Sequence, residues 1–189
     1  MDASTPPPSD APPSARSETR VADPAAEQSF ATDDPRPRPS WADARDRLET
    51  AETYWLATVR PDGRPHVVPV LAIWLDGALY TTAGAATRKA RNLAANPRCV
   101  VTAEGRPLHL VVEGVAAKVG VGEDPTLHRV AEAFAARHRW EVEVREGAFF
   151  ADGAPTAGPP PYEVYRIVPE LVFAFGTDET LGAARWRFA

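Results

Sequence analysis

The sequence predicts a mainly β domain: six to seven short antiparallel strands forming a barrel, with a short helix after the third strand and an amphipathic helix crossing the barrel. Short segments rich in β-branched and aromatic residues are separated by turn signals, of which Asp76-Gly77 is the strongest. The segments do not alternate with helices as they would in a parallel sheet. The sequence also lacks a G-x-G-x-x-G phosphate loop, which argues against a dinucleotide-binding fold.

A proline-rich segment precedes the predicted domain. Nine of the 20 prolines lie in residues 1–40, where Phe30 is the only aromatic residue. This composition buries too little apolar surface to offset the loss of chain entropy on folding. The sequence therefore predicts a disordered tail over residues 1–40, of which 1–39 can be deleted without loss of stability, and one folded domain over residues 41–189.

The first half of the domain begins at Ser40, a good N-cap for a helix from Trp41 to Thr53. Three strands follow this helix. Pro69 interrupts the second of them, which indicates a bulge or an edge position. The predicted strands are Tyr54–Arg60, Pro65–Leu75 and Ala78–Thr82, joined by turns at Pro61-Asp62-Gly63 and Asp76-Gly77.

The second half contains two helices and the remaining strands. A short helix from Thr87 to about Asn96 is ended by Asn96-Pro97. Apolar residues at helical spacing predict a longer helix from about Pro125 to Trp140. Glycine and proline predict a loop over residues 147–161. The remaining predicted strands are Arg98–Ala103, Leu108–Val119, Tyr162–Val168 and Leu171–Phe175.

Composition excludes several classes of protein. The single cysteine, Cys99, rules out a disulfide framework and a multi-cysteine zinc site, and the histidines have no metal-ligand spacing, so no metal is expected. The longest apolar stretch is too short to cross a membrane. A net charge of -5 argues against a general nucleic-acid binder. Together with the lack of a signal peptide, these features predict a cytoplasmic protein.

The most informative segment is Tyr80–Leu93, YTTAGAATRKARNL, in which Tyr80, Thr81 and Thr82 precede the short helix. Thr87 stands at the expected N-cap, and Arg88 and Lys89 follow it. Cations at a helix N-terminus oppose the helix dipole, which favours acidic residues there. They become favourable when a phosphate binds the free N–H groups. The alternative is a solvated basic surface, as most charge runs are.

Two other segments carry weaker signals. His66, Val67, Val68 and Pro69 form an extended segment whose proline leaves backbone groups free to bond the edge of a flat heterocycle, although an edge-strand bulge explains it equally well. The last residues include Arg185, Trp186 and Arg187, which are unfavourable in a disordered chain end. They either close over a cofactor, contact a partner subunit, or simply pack on the domain.

The order strand, turn, PHVVPV, strand, Asp-Gly, LYTTAGAATRKARNLAANPR, strand resembles the pyridoxamine 5'-phosphate oxidase-like family, the flavin-binding split β-barrel proteins. The branch that uses the deazaflavin coenzyme F-420 is most similar. The resemblance spans residues 48–188, and YT…TRKARNL is its most specific part. It implies a homodimer with two cofactor sites at the subunit interface.

The resemblance also assigns roles to residues. Thr87, Arg88 and Lys89 match the triplet that holds the cofactor phosphate, and Tyr80 and Thr81 match a Tyr-Thr pair on the preceding strand. Val67 to Val70 fall where backbone atoms meet the isoalloxazine ring, and Arg187 is similar to an arginine that contacts substrate. His66 stands where the vitamin B6 oxidase has an arginine. This departure, with the altered C-terminal motif, argues against pyridoxamine 5'-phosphate oxidase activity itself.

Two hypotheses follow. The first is a reductase or oxidase that transfers hydride between coenzyme F-420 or FMN and a small conjugated substrate, with the protein supplying orientation and exclusion of water. No side chain stands out as the general acid. The second is a carrier of the same fold that binds flavin, F-420 or haem without turnover, for which His66 or His109 could be the axial ligand of haem.

Overall fold

The structure, a computed structural model, describes residues 25–27, 34–120, 122, 124–153 and 158–188. The helices are α1 (Trp41–Thr50), α2 (Arg88–Ala95) and α3 (Asp124–His138). The strands are β1 (Ala25–Glu27), β2 (Tyr54–Val59), β3 (Pro65–Val70), β4 (Ala72–Leu75), β5 (Ala78–Gly84), β6 (Arg98–Ala103), β7 (Leu108–Lys118), β8 (Glu143–Arg145), β9 (Ala148–Phe150), β10 (Tyr162–Gly176) and β11 (Ala183–Arg187).

The strands form one antiparallel sheet in the order β1-β11-β10-β7-β6-β2-β3. The first part of β10 also pairs with β5, which pairs with β4, while the second part pairs with β11. Because β10 changes partner along its length, the sheet wraps around its own interior. This arrangement confirms the predicted mainly β antiparallel class.

The predicted second strand, Pro65–Leu75, is in fact two strands that separate at Leu71. β3 pairs with β2, whereas β4 pairs with β5. The chain thus leaves one part of the sheet and joins another at this residue. Composition did not reveal the break, because both halves are equally apolar.

The two predicted closing strands are one long strand, β10. Pro169 lies inside it, and the register with β7 shifts between Pro169 and Leu171. A proline cannot donate a ladder hydrogen bond, so the bulge lets the strand continue past it. The position of this bulge was predicted as a turn between two strands.

Four short strands, β1, β8, β9 and β11, account for the remaining difference between the six or seven predicted strands and those observed. β9 lies inside the predicted loop over residues 147–161 and pairs with β8 and with Tyr162. β11, in the C-terminal segment, pairs with β10. Strands of this length carry too little alternation to be recognised without their partners.

The core consists of two clusters on opposite sides of β5. The first fills the barrel and includes Leu56, Leu79 and Ile167, all fully buried. The second lies beneath α3, where Phe134 and Phe149 are fully buried. β5 therefore has one buried face in each cluster, and it positions the start of α2 rigidly.

Cys99 belongs to the barrel cluster and is buried. Burial raises the pKa of its thiol to about 12, because a thiolate is poorly solvated there. The cysteine is thus held in the unreactive thiol form, as expected for a small core residue.

Parts of the segment predicted as a disordered tail contact the domain. β1 pairs with β11, with Ala26 opposite Trp186. The N–H of Gly182 donates to the carbonyl of Pro37 at 2.9 Å, and Arg36 donates to the carbonyl of Asp178 at 3.2 Å. Residues 1–24 and 28–33 lie outside the described residues. The folded unit therefore extends N-terminally beyond the predicted boundary at residue 41.

Deletion of residues 1–39 is accordingly expected to lower the free energy of unfolding by about 1–3 kcal/mol, since several backbone hydrogen bonds are lost. Chemical denaturation of the two chains measures the difference. A chain lacking only residues 1–24 keeps every described contact and serves as the control. Equal stability of full-length and 1–39-deleted protein would show that these contacts contribute nothing, as the composition predicted.

None of the three described helices is both long and apolar enough to traverse a lipid bilayer.

Candidate functional site

Helix α2 begins where the structure ties it to the end of β5. The hydroxyl of Thr87 accepts a hydrogen bond from the Ala90 N–H at 3.4 Å and donates one to the Gly84 carbonyl at 2.7 Å. The Thr87 N–H also donates to the Gly84 carbonyl, at 2.9 Å. Thr87 is therefore the N-cap, as predicted, and its hydroxyl holds the helix start in place.

The buried face of α2 docks on β2 through a polar contact. The side-chain amide of Asn92 donates to the Thr58 hydroxyl at 2.9 Å, and both residues are almost completely buried. The Nδ1 atom of His66, on β3, lies 3.5 Å from the same hydroxyl. This contact joins α2, β2 and β3 at one end of the barrel. Sequence reasoning missed Thr58 and Asn92, because nothing in their local pattern shows that they meet.

Lys89 is half-buried on α2, one helical turn before Asn92. Burial lowers the pKa of its ammonium group. Within the described part of the chain, this ammonium forms no ion pair and no hydrogen bond. A partly buried cation without a counter-ion is costly, so this position favours an anion from outside the chain.

Other cations surround this position. Arg88 is exposed beside Lys89, and Arg60 follows the end of β2. The pKa of His66 is lowered first by burial and then by the charges of Arg60, Arg88 and Lys89. The imidazole is therefore neutral near pH 7, and the three cations create a positive potential around it. Arg60 had not been singled out from the sequence.

The residues His66 to Pro69 lie on β3, which is an edge strand: among the described residues it pairs only with β2. His66 and Val68 are half-buried on the face shared with Thr58, whereas Val67 and Pro69 are exposed on the other face. The unpaired edge leaves every second backbone N–H and C=O free. The edge position that Pro69 indicated is thus observed, and the role of these groups toward a flat ligand stays a prediction.

The side chains of the Tyr-Thr pair point into the core. Tyr80 belongs to the cluster beneath α3. Thr81 is buried and donates to the Leu71 carbonyl at 2.8 Å, while Thr82 is half-buried. In this structure Tyr80 and Thr81 hold β5 in position, and they do not join the cation group formed by Arg60, Arg88 and Lys89.

The C-terminal residues lie on β11, and four strands lie between it and β3 in the sheet. Trp186 is buried in the barrel cluster, with its ring centroid 5.5 Å from that of Trp41. Arg185 is half-buried and Arg187 exposed, both on the opposite face. Trp186 shares the barrel cluster with Ala90 and Leu93 of α2, whereas the two arginines lie outside that cluster.

A largely apolar surface runs across the outside of the sheet, and we call it the outer face. Along each strand its residues alternate with core residues, and on adjacent strands they lie opposite one another. Trp55, Val59, Val67 and Phe175 on it are 37–54% exposed. The outer face comprises Val67, Pro69, Trp55, Ala57, Val59, Val100, Thr102, Val111, Glu113, Leu171, Phe173, Phe175, Arg185 and Arg187.

In the parts of the chain that the structure describes, no three His, Cys, Asp or Glu side chains come together as metal ligands.

Comparison with known proteins places this site in a family context. The family model described as pyridoxamine 5'-phosphate oxidase matches residues 40–175, which include β2, β3, β5 and α2. Comparison with curated protein sequences finds no match. Solved structures of the same fold are numerous. The three described next are 20–24% identical to this chain, which shows a shared fold alone.

Three of these structures illustrate the likeness. A FAD-binding protein from Mesorhizobium loti is 20% identical, with a TM-score of 0.54, over 80% of this chain and 96% of its own. A conserved hypothetical protein from Mycobacterium tuberculosis is 24% identical, with a TM-score of 0.58, over 75% and 87%. An F-420 reductase is 24% identical, with a TM-score of 0.50, over 68% and 94%.

Proposed function

Because the chain belongs to the pyridoxamine 5'-phosphate oxidase family, as the match over residues 40–175 shows, we propose that it is an oxidoreductase that uses a phosphorylated flavin-type cofactor. The cofactor is the deazaflavin coenzyme F-420, or alternatively FMN, and the substrate is a small conjugated molecule. The names of two structural neighbours, a FAD-binding protein and an F-420 reductase, are consistent with this choice.

The observation that carries the proposal is the charge of Lys89, which has no ion-pair partner among the residues that the structure describes. Its half-buried ammonium, the exposed guanidinium of Arg88 and the free N–H groups at the start of α2 are the groups that bind a phosphate. Thr87 fixes the helix start, so these groups are already in place before a ligand arrives. The residues present therefore fit the phosphate end of such a cofactor.

The chain's own residues then have distinct tasks. When bound, a flavin or deazaflavin supplies hydride transfer. Arg88 and Lys89 hold the phosphate, and the unpaired edge of β3 over Val67 and Val68 offers backbone groups to the ring. The neutral His66 and the apolar β3 side chains keep the space between β3 and α2 poor in water.

The proposal includes a two-fold homodimer formed through the outer face. A contiguous apolar surface of this extent is typical of an interaction site. The face also carries charges of both signs, with Glu113 and Arg187 each opposite Leu171, and a two-fold contact can pair such groups between copies. In this arrangement Arg185 and Arg187 of one copy would complete the cofactor site of the other.

Lys89→Ala and Arg88→Ala are each expected to weaken cofactor binding by about 1.5–3 kcal/mol, because each removes a charge-assisted hydrogen bond. Fluorescence titration with F-420 and with FMN measures the affinity. Folding stability should stay the same or rise slightly, since a cation leaves a helix N-terminus. Arg91→Ala, an exposed cation on the same helix, is the matched control. Unchanged affinity in both site variants would exclude this phosphate site.

The activity itself is tested with the full chain. Absorbance and mass spectra identify any small molecule that co-purifies, and the protein is then supplied with reduced F-420 or reduced FMN and a series of conjugated acceptors. We expect cofactor oxidation that depends on both protein and acceptor. Tight binding without turnover would instead indicate a carrier, and a haemin Soret shift abolished by His66→Ala or His109→Ala would indicate a haem-binding one.

A further inference from the structure

We propose that Arg60 is a third cationic ligand of the anion site at α2, and that with Arg88 and Lys89 it makes the site selective for a dianionic phosphate group over monoanions. This inference rests on the function proposed above and deepens it, because a site selective for dianions favours the alternative cofactor FMN, a phosphate monoester, over F-420, whose phosphate diester is a monoanion. It assigns a binding role to a residue that neither the sequence pattern nor the family resemblance had indicated.

The backbone places Arg60 opposite Lys89. Arg60 follows Thr58 by two residues, so both point to the same face of the strand, about 6–7 Å apart along it. Thr58 accepts the hydrogen bond of Asn92, and Lys89 lies one turn before Asn92 on the same face of α2. Arg60 on the β2 side and Lys89 on the α2 side therefore flank the hydrogen bond between Thr58 and Asn92, and both side chains extend toward the same space.

Among the described residues, no side chain forms an ion pair with the Arg60 guanidinium. Its backbone is fixed by the hairpin, because its N–H donates to the Arg64 carbonyl at 2.9 Å. Its Nε atom is inaccessible to solvent and, among the described residues, has no hydrogen-bond acceptor. A buried donor without an acceptor is unfavourable. A phosphate has oxygen atoms enough to accept from Arg60, Arg88 and Lys89 together.

The carboxylate in the same turn does not neutralise Arg60. The Asp62 carboxylate accepts hydrogen bonds from Arg64, at 2.7 Å from Nη2 and 3.1 Å from Nε. These hydrogen bonds with Arg64, and then the charges of Arg60 and Arg88, lower the pKa of the Asp62 carboxyl, so this carboxylate offsets only part of their charge. With His66 neutral, Arg60, Arg88 and Lys89 still leave the site positive, and a dianion relieves their mutual repulsion more than a monoanion does.

The test uses inorganic phosphate at pH 8 as the probe, titrated calorimetrically into the full-length protein. In Arg60→Gln the dissociation constant for phosphate is expected to rise about 10- to 100-fold, the usual effect of losing a hydrogen bond between charged groups. Arg60→Lys, which keeps the charge without the planar fork, should show a smaller rise. Arg91→Gln removes the same charge from an exposed position and should change the constant less than about twofold.

The outcomes separate this inference from the proposed function. Equal phosphate affinity in wild type and in folded Arg60→Gln would overturn the inference, as would nitrate competing as well as phosphate, or wild type binding no phosphate. Arg60→Lys provides the same test if Arg60→Gln fails to fold. Phosphate binding that depends on Arg60, in a protein that binds neither F-420 nor FMN, would support the assignment of Arg60 while excluding the proposed cofactors.

Discussion

Phe173→Glu is expected to convert the proposed homodimer into monomers, raising the dissociation constant of the dimer by 100-fold or more. Phe173 lies within the outer face, where its ring stacks on Phe175 with centroids 6.4 Å apart. A buried interface carboxylate without a partner costs several kcal/mol, and about 1.4 kcal/mol corresponds to a tenfold change. Sedimentation velocity over a range of protein concentrations measures the constant.

The fold of the subunit should survive this substitution. Phe173 is only half-buried on the outside of the sheet, so in the monomer the new carboxylate stays in contact with solvent. Ala136→Glu adds the same charge to the exposed side of α3 and is the control. Cofactor affinity should fall together with dimerisation, because the proposed site uses residues of both copies. A Phe173→Glu protein that remains dimeric and binds cofactor as wild type does would show that the outer face is not the interface.

The second large effect concerns the cluster beneath α3. Phe134→Ala is expected to lower the free energy of unfolding by about 3–5 kcal/mol, the usual cost of emptying a fully buried phenylalanine site. The ring of Phe134 meets those of Trp140 and Phe149 edge to face, with centroids 5.7 and 6.1 Å away. Phe134 lies on α3, Trp140 in the segment that follows it and Phe149 on β9, so the neighbouring rings are held by separate parts of the chain and do not move together into the space left behind.

Denaturant unfolding followed by tryptophan fluorescence measures this loss. Phe150→Ala is the matched control, because Phe150 is only half-buried and stacks under Arg145 at 4.2 Å. Its loss should cost about 1 kcal/mol. Equal destabilisation by the two substitutions would show that the cluster beneath α3 is not a closely packed core.

Where local chemistry decides the conformation, the sequence predicted the structure well. The Asp76-Gly77 signal became a hairpin turn between β4 and β5 in which both residues have positive φ, at 50° and 79°. Thr87 became the N-cap of α2, and Asn96 its C-cap. Each of these features depends on a few adjacent residues, so a single sequence is enough to reveal it.

The candidate site was only partly predictable. Arg88 and Lys89 were found because cations at a helix N-terminus are unusual within their own segment. Arg60, Thr58 and Asn92 were not found, because their roles depend on which strand lies against which helix. The ligand roles of Tyr80 and Trp186 stay predictions, and the structure shows that both side chains are buried.

By itself, the sequence determined the antiparallel β class, the turns, the helix starts and the family, since hydrophobic period, turn residues and the TRKARNL segment are local properties. Only the tertiary structure decided that residues 65–75 divide between two strand pairs, that β10 continues through Pro169, and that β11 has partners on both sides. The physical reason is that a strand forms through hydrogen bonds to a neighbour. That neighbour is supplied by a distant part of the chain, so pairing is settled only when the whole sheet assembles.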